Sequence, residues 1–230
     1  MELGGKASAI VLKDANLDQA ALHCARGAFL NAGQICMSTE RILVDESISS
    51  DFQERLGEAI RNLFGAADDT PAVVTAASAS RNRGLIQDAI SKGAQPLKNF
   101  EDKHAYETDT KMRPVVLGNI KKDMDLYAIE SFGPSVSLFT FKTEKEALEL
   151  ANDTEYGLAA AIFSEDLRMA FQLADGLESG AVHINSMTVH DESSLPHGGV
   201  KDSGFGRFNG YQGLDEFLYF KSVTWMDSYS

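Results

Sequence analysis

A chain of 230 residues, 43% of them hydrophobic, has the material for one large core or two small ones, and nothing in it reads as disordered. Its 34 acidic residues outweigh 21 basic ones, giving a net charge of −13, which argues against nucleic acid or an anionic membrane as a partner, because both demand clustered Lys and Arg. Two cysteines are too few for a disulfide scaffold and suit a reducing, cytoplasmic setting, and no apolar run approaches the ~18 residues of a membrane span.

The opening Met1-Glu2-Leu3-Gly4-Gly5-Lys6 lacks the basic and apolar segments of a signal peptide. It places a carboxylate and a turn-like Gly-Gly pair directly at the start, which reads as a chain cut from something longer. The apolar run 7–12 predicts a buried strand. Asp14 and Asn16 can cap a helix whose stripe is Leu17, Ala20, Ala21, Cys24, Ala25, Ala28 and Phe29, so Cys24 is expected in the core. The stretch Phe29 to Met37 then leads to a strand over 40–45. Cys36 lies in this connection, behind Gly33 and Gln34. A thiol on a loop at the edge of a sheet is placed to act as a nucleophile.

Ile48, Phe52, Leu56 and Ile60 predict a helix over 47–64, and residues 65–78 read as an irregular connection. A helix over 80–93 closes on Gly93 as its C-cap, and 99–112 reads as a charged loop. Strands over 114–117 and 135–141 flank Ile129 to Pro134. A helix at 143–151, a strand at 158–163, a helix at 165–175 and a strand at 179–184 follow. This alternation predicts an α/β fold, a mainly parallel open sheet with helices on both faces, which binds ligands at the carboxyl ends of its strands. Beyond Asn185 the chain is rich in Gly and turns, with Gly198, Gly199, Gly204 and Gly206 as turn formers. The loosely alternating run Phe217 to Trp225 is either an edge strand of this domain or one that pairs with another subunit.

A nucleophilic Cys usually needs a lowered pKa or a neighbouring base. A Cys/His hydrolase is formally open with five histidines, although His23 on a helix and His183 in a strand are better read as structural. No Cys and His spacing matches a zinc site. Periodicity and composition end at an α/β protein with one candidate thiol.

Five separated motifs carry a more specific signal: Glu2-Leu-Gly-Gly-Lys6, Gly33-Gln-Ile-Cys36, Glu130-Ser-Phe-Gly-Pro134, Asn152 to Ala159, and Gly198 to Arg207. In this order they resemble the catalytic domain of an aldehyde dehydrogenase, across essentially all 230 residues. The resemblance implies that Cys36 attacks the aldehyde carbon and that hydride then passes to NAD or NADP. It makes Glu2 the general base that hydrolyses the thioester. It makes Glu130 and Phe132 the residues on the nicotinamide ribose, with the backbone around Leu3 and Gly4 beside the nicotinamide. Leu30, Ile35 and Met37 match the wall of the aldehyde pocket. His197 stands where the family commonly has Phe facing the substrate, and can donate to a ring hydroxyl or sit at the pocket rim. The wording of Gly33 to Arg41, with Thr188 to Glu192, is similar to the branch acting on aromatic aldehydes such as salicylaldehyde or vanillin.

The resemblance also implies an upstream dinucleotide-binding domain that these 230 residues lack. Residues 1–210 are expected to form the thiol-nucleophile domain and 211–230 a C-terminal oligomerisation tail, serving a homodimer or homotetramer. Without the upstream part Glu2 is expected to fray, and hydride transfer by this chain alone is not expected. Two rivals stand beside the dehydrogenase: a thiol esterase or acyl-transferase working through Cys36, and a non-catalytic assembly module.

Overall fold

The computed structural model describes residues 1–64, 70–97 and 107–226. Parts of the predicted connections 65–78 and 99–112 lie outside these residues. In chain order the strands are β1 (Ala7–Val11), β2 (Thr39–Asp45), β3 (Gln95–Pro96), β4 (Val115–Gly118), β5 (Ser135–Phe141), β6 (Tyr156–Gly157), β7 (Ala159–Phe163), β8 (Ala181–Ile184) and β9 (Val200–Lys201). The helices are α1 (Leu17–Phe29), α2 (Ser49–Phe64), α3 (Ala76–Ser91), α4 (Asp125–Ala128), α5 (Glu144–Asn152), α6 (Leu167–Gly176) and α7 (Gly210–Asp215). Seven strands form one sheet in the order β3-β4-β5-β2-β1-β7-β8, parallel except for the two-residue edge strand β3.

Strands β1, β2 and β7 are buried along almost their whole length, as the apolar runs at their centres (Ala9 to Val11, Ile42 to Val44, Ala159 to Phe163) require of a sheet covered on both faces. One face packs Cys24, Ala25 and Phe29 of α1 and Phe52, Leu56 and Ile60 of α2 against Val11, Ile42 and Val44. The other packs α3, α5 and α6 against Ile10, Leu43 and Ile162. Each fully buried Leu, Ile or Phe here contributes about 1.5–3 kcal/mol relative to exposure. Cys24 is in the core as expected, and burial pushes its thiol pKa up. Arg41 in β2 is fully buried, its guanidinium between the rings of Tyr127 and Phe139 and bonded to the Asp153 carbonyl at 3.1 Å.

Capping explains most helix starts. Asn16 accepts from the Gln19 N–H, Thr143 from Glu146, and Asp166 from Arg168 and Met169. Helix α3 begins at Ala76, earlier than expected, because Thr75 accepts from the Ser78 N–H and so recruits Ala76 to Ala79 from the supposed loop. It closes at Gly93, whose φ is +101°. The short α4 and α7 and the β6–β9 ribbon were not expected.

The run Phe217 to Trp225 is the main departure. None of its residues pairs as a strand, which removes the edge-strand alternative. Phe217, Leu218, Tyr219, Phe220, Val223, Trp225 and Met226 all stand exposed. β3 and β8 are the two edge strands of the sheet, and the segment pairs with neither.

Candidate active site

Helix α1 crosses back over the sheet, so its carboxyl end arrives where β2 begins. The chain then turns through Leu30–Gly33, where Asn31, Ala32 and Gly33 hold φ of +51°, +58° and +71° in succession. Left-handed backbone costs a residue with a Cβ roughly 1–2 kcal/mol, so this turn is held by its surroundings. Gln34 is the clamp. Its side-chain N–H groups donate to the carbonyls of Asn31 (2.9 Å) and Ala72 (3.1 Å), and its Oε1 accepts from the Val74 N–H (2.8 Å). Thr188 holds the far side, donating to the Met37 carbonyl at 2.6 Å. Cys36 sits half-buried between these two fixtures, flanked by half-buried Ile35 and Met37, with Leu30 at the exposed rim.

Two more segments converge on Cys36. Gly5 donates its backbone N–H to Glu130 Oε1 at 2.9 Å. A Cβ on Gly5 would lie 2.2 Å from the Cys36 carbonyl oxygen, and one on Gly4 would lie 2.7 Å from Glu130 Oε2. At Gly5 only glycine permits this approach to a backbone oxygen, while at Gly4 the positive φ is what favours glycine. Gly4 itself takes φ +128°, as Gly204 and Gly206 take +126° and +78°. Burial first, then the negative charges of Glu2 and Glu130, hold the Cys36 thiol above its ordinary pKa, against opposing backbone hydrogen bonds. Burial also raises the Glu130 pKa, opposed by the Gly5 N–H. Phe132 is 41% exposed and Leu3 62%, so both present apolar surface outward.

The loop carrying Glu130 and Phe132 rests on an ion pair that sequence reading did not single out. Lys6 Nζ meets Glu40 Oε2 at 2.7 Å, with side-chain exposures of 0% and 5%. Glu40 also accepts from the backbone N–H of Ser131 (2.8 Å) and Phe132 (3.0 Å) and from the Ser131 hydroxyl (2.8 Å), while Lys6 also donates to the Ile129 carbonyl (2.8 Å). Arg81 and Asn82 of α3 donate to the Ser131 carbonyl from the other side. Phe132 is thereby kept at φ +48°. The one available signal was a charge at the start of each of two buried strands, Lys6 before β1 and Glu40 within β2.

Glu2 does not fray. It bridges Gly204, Leu3 donates to the Ser203 carbonyl at 3.0 Å, and the Met1 amine donates to the Phe205 carbonyl at 2.9 Å. His197 is 5% exposed, with Nε2 3.0 Å from Glu2 Oε1. His23 lies in α1 and His183 in β8, each with a buried ring nitrogen (Nδ1 and Nε2) that has no hydrogen-bond partner among the described residues; His183 is in ring contact with His190 at 5.0 Å, and burial lowers its pKa to about 4. Residues 2, 36 and 130 all precede strands, so the site lies at the amino edge of β1, β2 and β5. The expectation of a site at the carboxyl ends is not met. That rule describes loops leaving strands, whereas here the returning helix α1 delivers the thiol to the start of a strand.

A thiol between two carboxylates at the rim of a helix-covered parallel sheet defines an α/β protein with a candidate nucleophilic centre. The chain belongs to the aldehyde dehydrogenase family, whose model matches residues 1–223. It is 41% identical over 229 residues to vanillin dehydrogenase of Pseudomonas fluorescens, covering 97% of this chain and 46% of the relative. It is 39% identical over 231 residues to salicylaldehyde dehydrogenase of Pseudomonas putida, covering 97% of this chain and 47% of that one. The crystal structure of a salicylaldehyde dehydrogenase from Pseudomonas putida G7 complexed with salicylaldehyde superposes with a TM-score of 0.87 at 36% identity, over 100% of this chain and 49% of the other. The chain thus spans about half the length of the curated relatives it matches. No helix among the described residues is long and apolar enough to cross a membrane.

Proposed function

We propose that this chain carries the catalytic half of a nicotinamide-dependent aldehyde dehydrogenase that oxidises an aromatic aldehyde to its acid. The observation that carries the reading is the Gly4-Gly5 approach, which packs the segment of Glu2 onto the Cys36 carbonyl and binds the Glu130 carboxylate at the same point. The Cys36 thiolate attacks the aldehyde carbon and the carbonyl oxygen becomes an oxyanion, which needs donors such as the Cys36 backbone N–H. A bound nicotinamide cofactor supplies the hydride acceptor that turns this adduct into a thioester. Glu2 then takes a proton from water, the water oxygen attacks the thioester carbon, and the acid leaves as the thiol is restored.

The residues fit such a cofactor. A carboxylate acceptor at Glu130, fixed by the Gly5 N–H, beside outward apolar faces of Phe132 and Leu3 and a side-chain-free Gly4, suits a ribose and a flat ring. Relatives described as NAD-dependent and as NADP-dependent both occur, so the two nucleotides are equally proposed. The resting thiol, raised by burial and two carboxylates, favours a site that becomes fully nucleophilic only beside a cation. The apolar Leu30, Ile35 and Met37, with relatives named for vanillin and salicylaldehyde, support an aromatic substrate. The exposed run Phe217 to Met226 supports a homo-oligomeric assembly, dimer or tetramer.

The test is covalent labelling. Brief exposure to p-nitrophenyl benzoate should place one benzoyl group on Cys36 and none on Cys24, and Cys36→Ala should remain unmodified by intact mass. Fused behind the dinucleotide-binding half of the salicylaldehyde dehydrogenase relative, the chain should form NAD(P)H from salicylaldehyde or vanillin. Full activity in the Cys36→Ala fusion would refute the mechanism.

A further inference from the structure

The contact between Glu2 and His197 joins opposite ends of the described chain, and both partners are held independently of it. The His197 backbone exchanges hydrogen bonds with Phe208 in both directions, at 2.8 and 2.9 Å, and its ring lies 5.0 Å from the Phe208 ring. The Glu2 backbone is fixed by the Gly204 bridge and the flanking bonds to Ser203 and Phe205. The separation of 3.0 Å from Nε2 to Oε1 is ordinary for an N–H···O bond, and the carboxylate acceptor requires the proton on Nε2. No other hydrogen bond to the Glu2 carboxylate occurs among the described residues, so Oε2 stays open. The Glu2 side chain keeps 32% exposure while that of His197 has 6%. The pair borders a cavity of about 190 Å³ walled also by Arg207, Phe208 and Phe217, with room for water beside Glu2; Cys36 does not line it.

We propose that His197 is a positioning residue for thioester hydrolysis: its Nε2–H fixes Glu2 Oε1 so that Oε2 faces the attacking water. The inference rests on the reading of Cys36 as the acylated thiol and Glu2 as the base. In the step, a water O–H proton moves to Oε2 while the water oxygen bonds to the thioester carbon. The C–S bond then breaks, the acid leaves, and the Cys36 thiolate recovers the proton from Glu2. His197 gives up no proton. Its contribution is to hold one carboxylate oxygen, which spares the reaction the ordering of a side chain otherwise free to rotate. In this arrangement Nε2 is committed to Glu2 and not to a substrate hydroxyl.

Pre-steady-state hydrolysis of p-nitrophenyl benzoate by the intact chain separates the two half-reactions. The burst of p-nitrophenolate reports acylation, and the later steady rate reports release. His197→Phe keeps a ring against Phe208 and loses the donor. It should slow release on the order of tenfold, the lower end for a hydrogen bond to a charged group, with the burst affected much less. His197→Gln restores an N–H and should recover part of the rate. Glu2→Gln combined with His197→Phe should release no more slowly than Glu2→Gln alone, because the histidine acts through the carboxylate.

Release unchanged or faster in His197→Phe, equal losses in burst and release, or additive losses in the double variant each overturn the inference. If His197→Phe folds poorly, as its melting curve would reveal, the comparison passes to His197→Gln and His197→Ala. A positioning role then predicts that the glutamine variant releases faster at equal burst, and equal release overturns it. A benzoylated Cys36 whose release is untouched by Glu2→Gln would remove the base reading itself, a result distinct from failure of the histidine alone.

Discussion

The buried Lys6–Glu40 pair makes the sharpest stability prediction. In Glu40→Ala the Lys6 ammonium, with no exposure, keeps only the Ile129 carbonyl among the described residues, the N–H groups of Ser131 and Phe132 lose their acceptor, and the Ser131 hydroxyl is left with the Gly133 carbonyl at 3.4 Å. Removing one member of a buried ion pair costs about 3–5 kcal/mol, a large part of the roughly 5–15 kcal/mol that separates folded from unfolded domains. For a chain of this size each kcal/mol lowers Tm by about 2–4 °C, so the variant should melt about 6–20 °C below the parent. Circular dichroism melts and urea titrations measure this directly. The double variant Lys6→Met with Glu40→Met removes the unpaired ammonium, though not the orphaned N–H groups of Ser131 and Phe132, and should recover part of the loss. A cost below about 1 kcal/mol for Glu40→Ala, or a double variant no better than the single, would refute the view that this pair anchors the Glu130 loop.

Three further outcomes follow from the same geometry. Since Glu2 helps to raise the Cys36 pKa, Glu2→Gln should lower it and speed iodoacetamide alkylation at pH 8, read by peptide mass; Cys24 should stay unmodified until the chain unfolds. The His183 pKa is lowered from 6.5 to about 4, so between these values the unfolded chain binds the proton that the folded chain refuses. Its contribution is complete above pH 6.5 and is lost as pH falls toward about 4, so urea midpoints should drop over that window less steeply in His183→Gln. Gly5→Ala places a methyl 2.2 Å from the Cys36 carbonyl and should cost about 1–3 kcal/mol in urea melts while reducing labelling of Cys36; unchanged labelling would argue against the close approach.

What was legible in the sequence was local. Short, mainly apolar runs announced β1, β2, β5 and β7, and fourfold spacing announced α2, because buried strands and one-sided helices write their environment into adjacent residues. The loop around Cys36 could be placed because a capped helix and a strand bracket it. Convergence could not be read from pattern: Glu2, Cys36 and Glu130 meet through separate strands of one sheet, and only the family motifs grouped them. Lys6 and Glu40 looked like ordinary charged borders of strands, since nothing local distinguishes a boundary charge from a buried one whose partner lies 34 positions away. The run Phe217 to Trp225 misled because alternation states only that one side of a segment is apolar. Pairing needs a free sheet edge, and no edge of this sheet receives it.

The closure of Met1 to Leu3 onto residues 203–205, a separation of 204 positions between Met1 and Phe205, has a consequence for biosynthesis. Glu2 leaves the ribosome well before His197, Ser203 and Phe205, which are made about 200 positions later. At about 5–20 residues per second the carboxylate waits roughly 10–40 s for its partners. A nascent chain halted before residue 197 can already contain β1 through β8, with the thiol loop seated and the glutamate untethered. Growth of the sheet and completion of the proposed base are therefore separate events in the life of the molecule, and the second waits for residues 197–205 to be made.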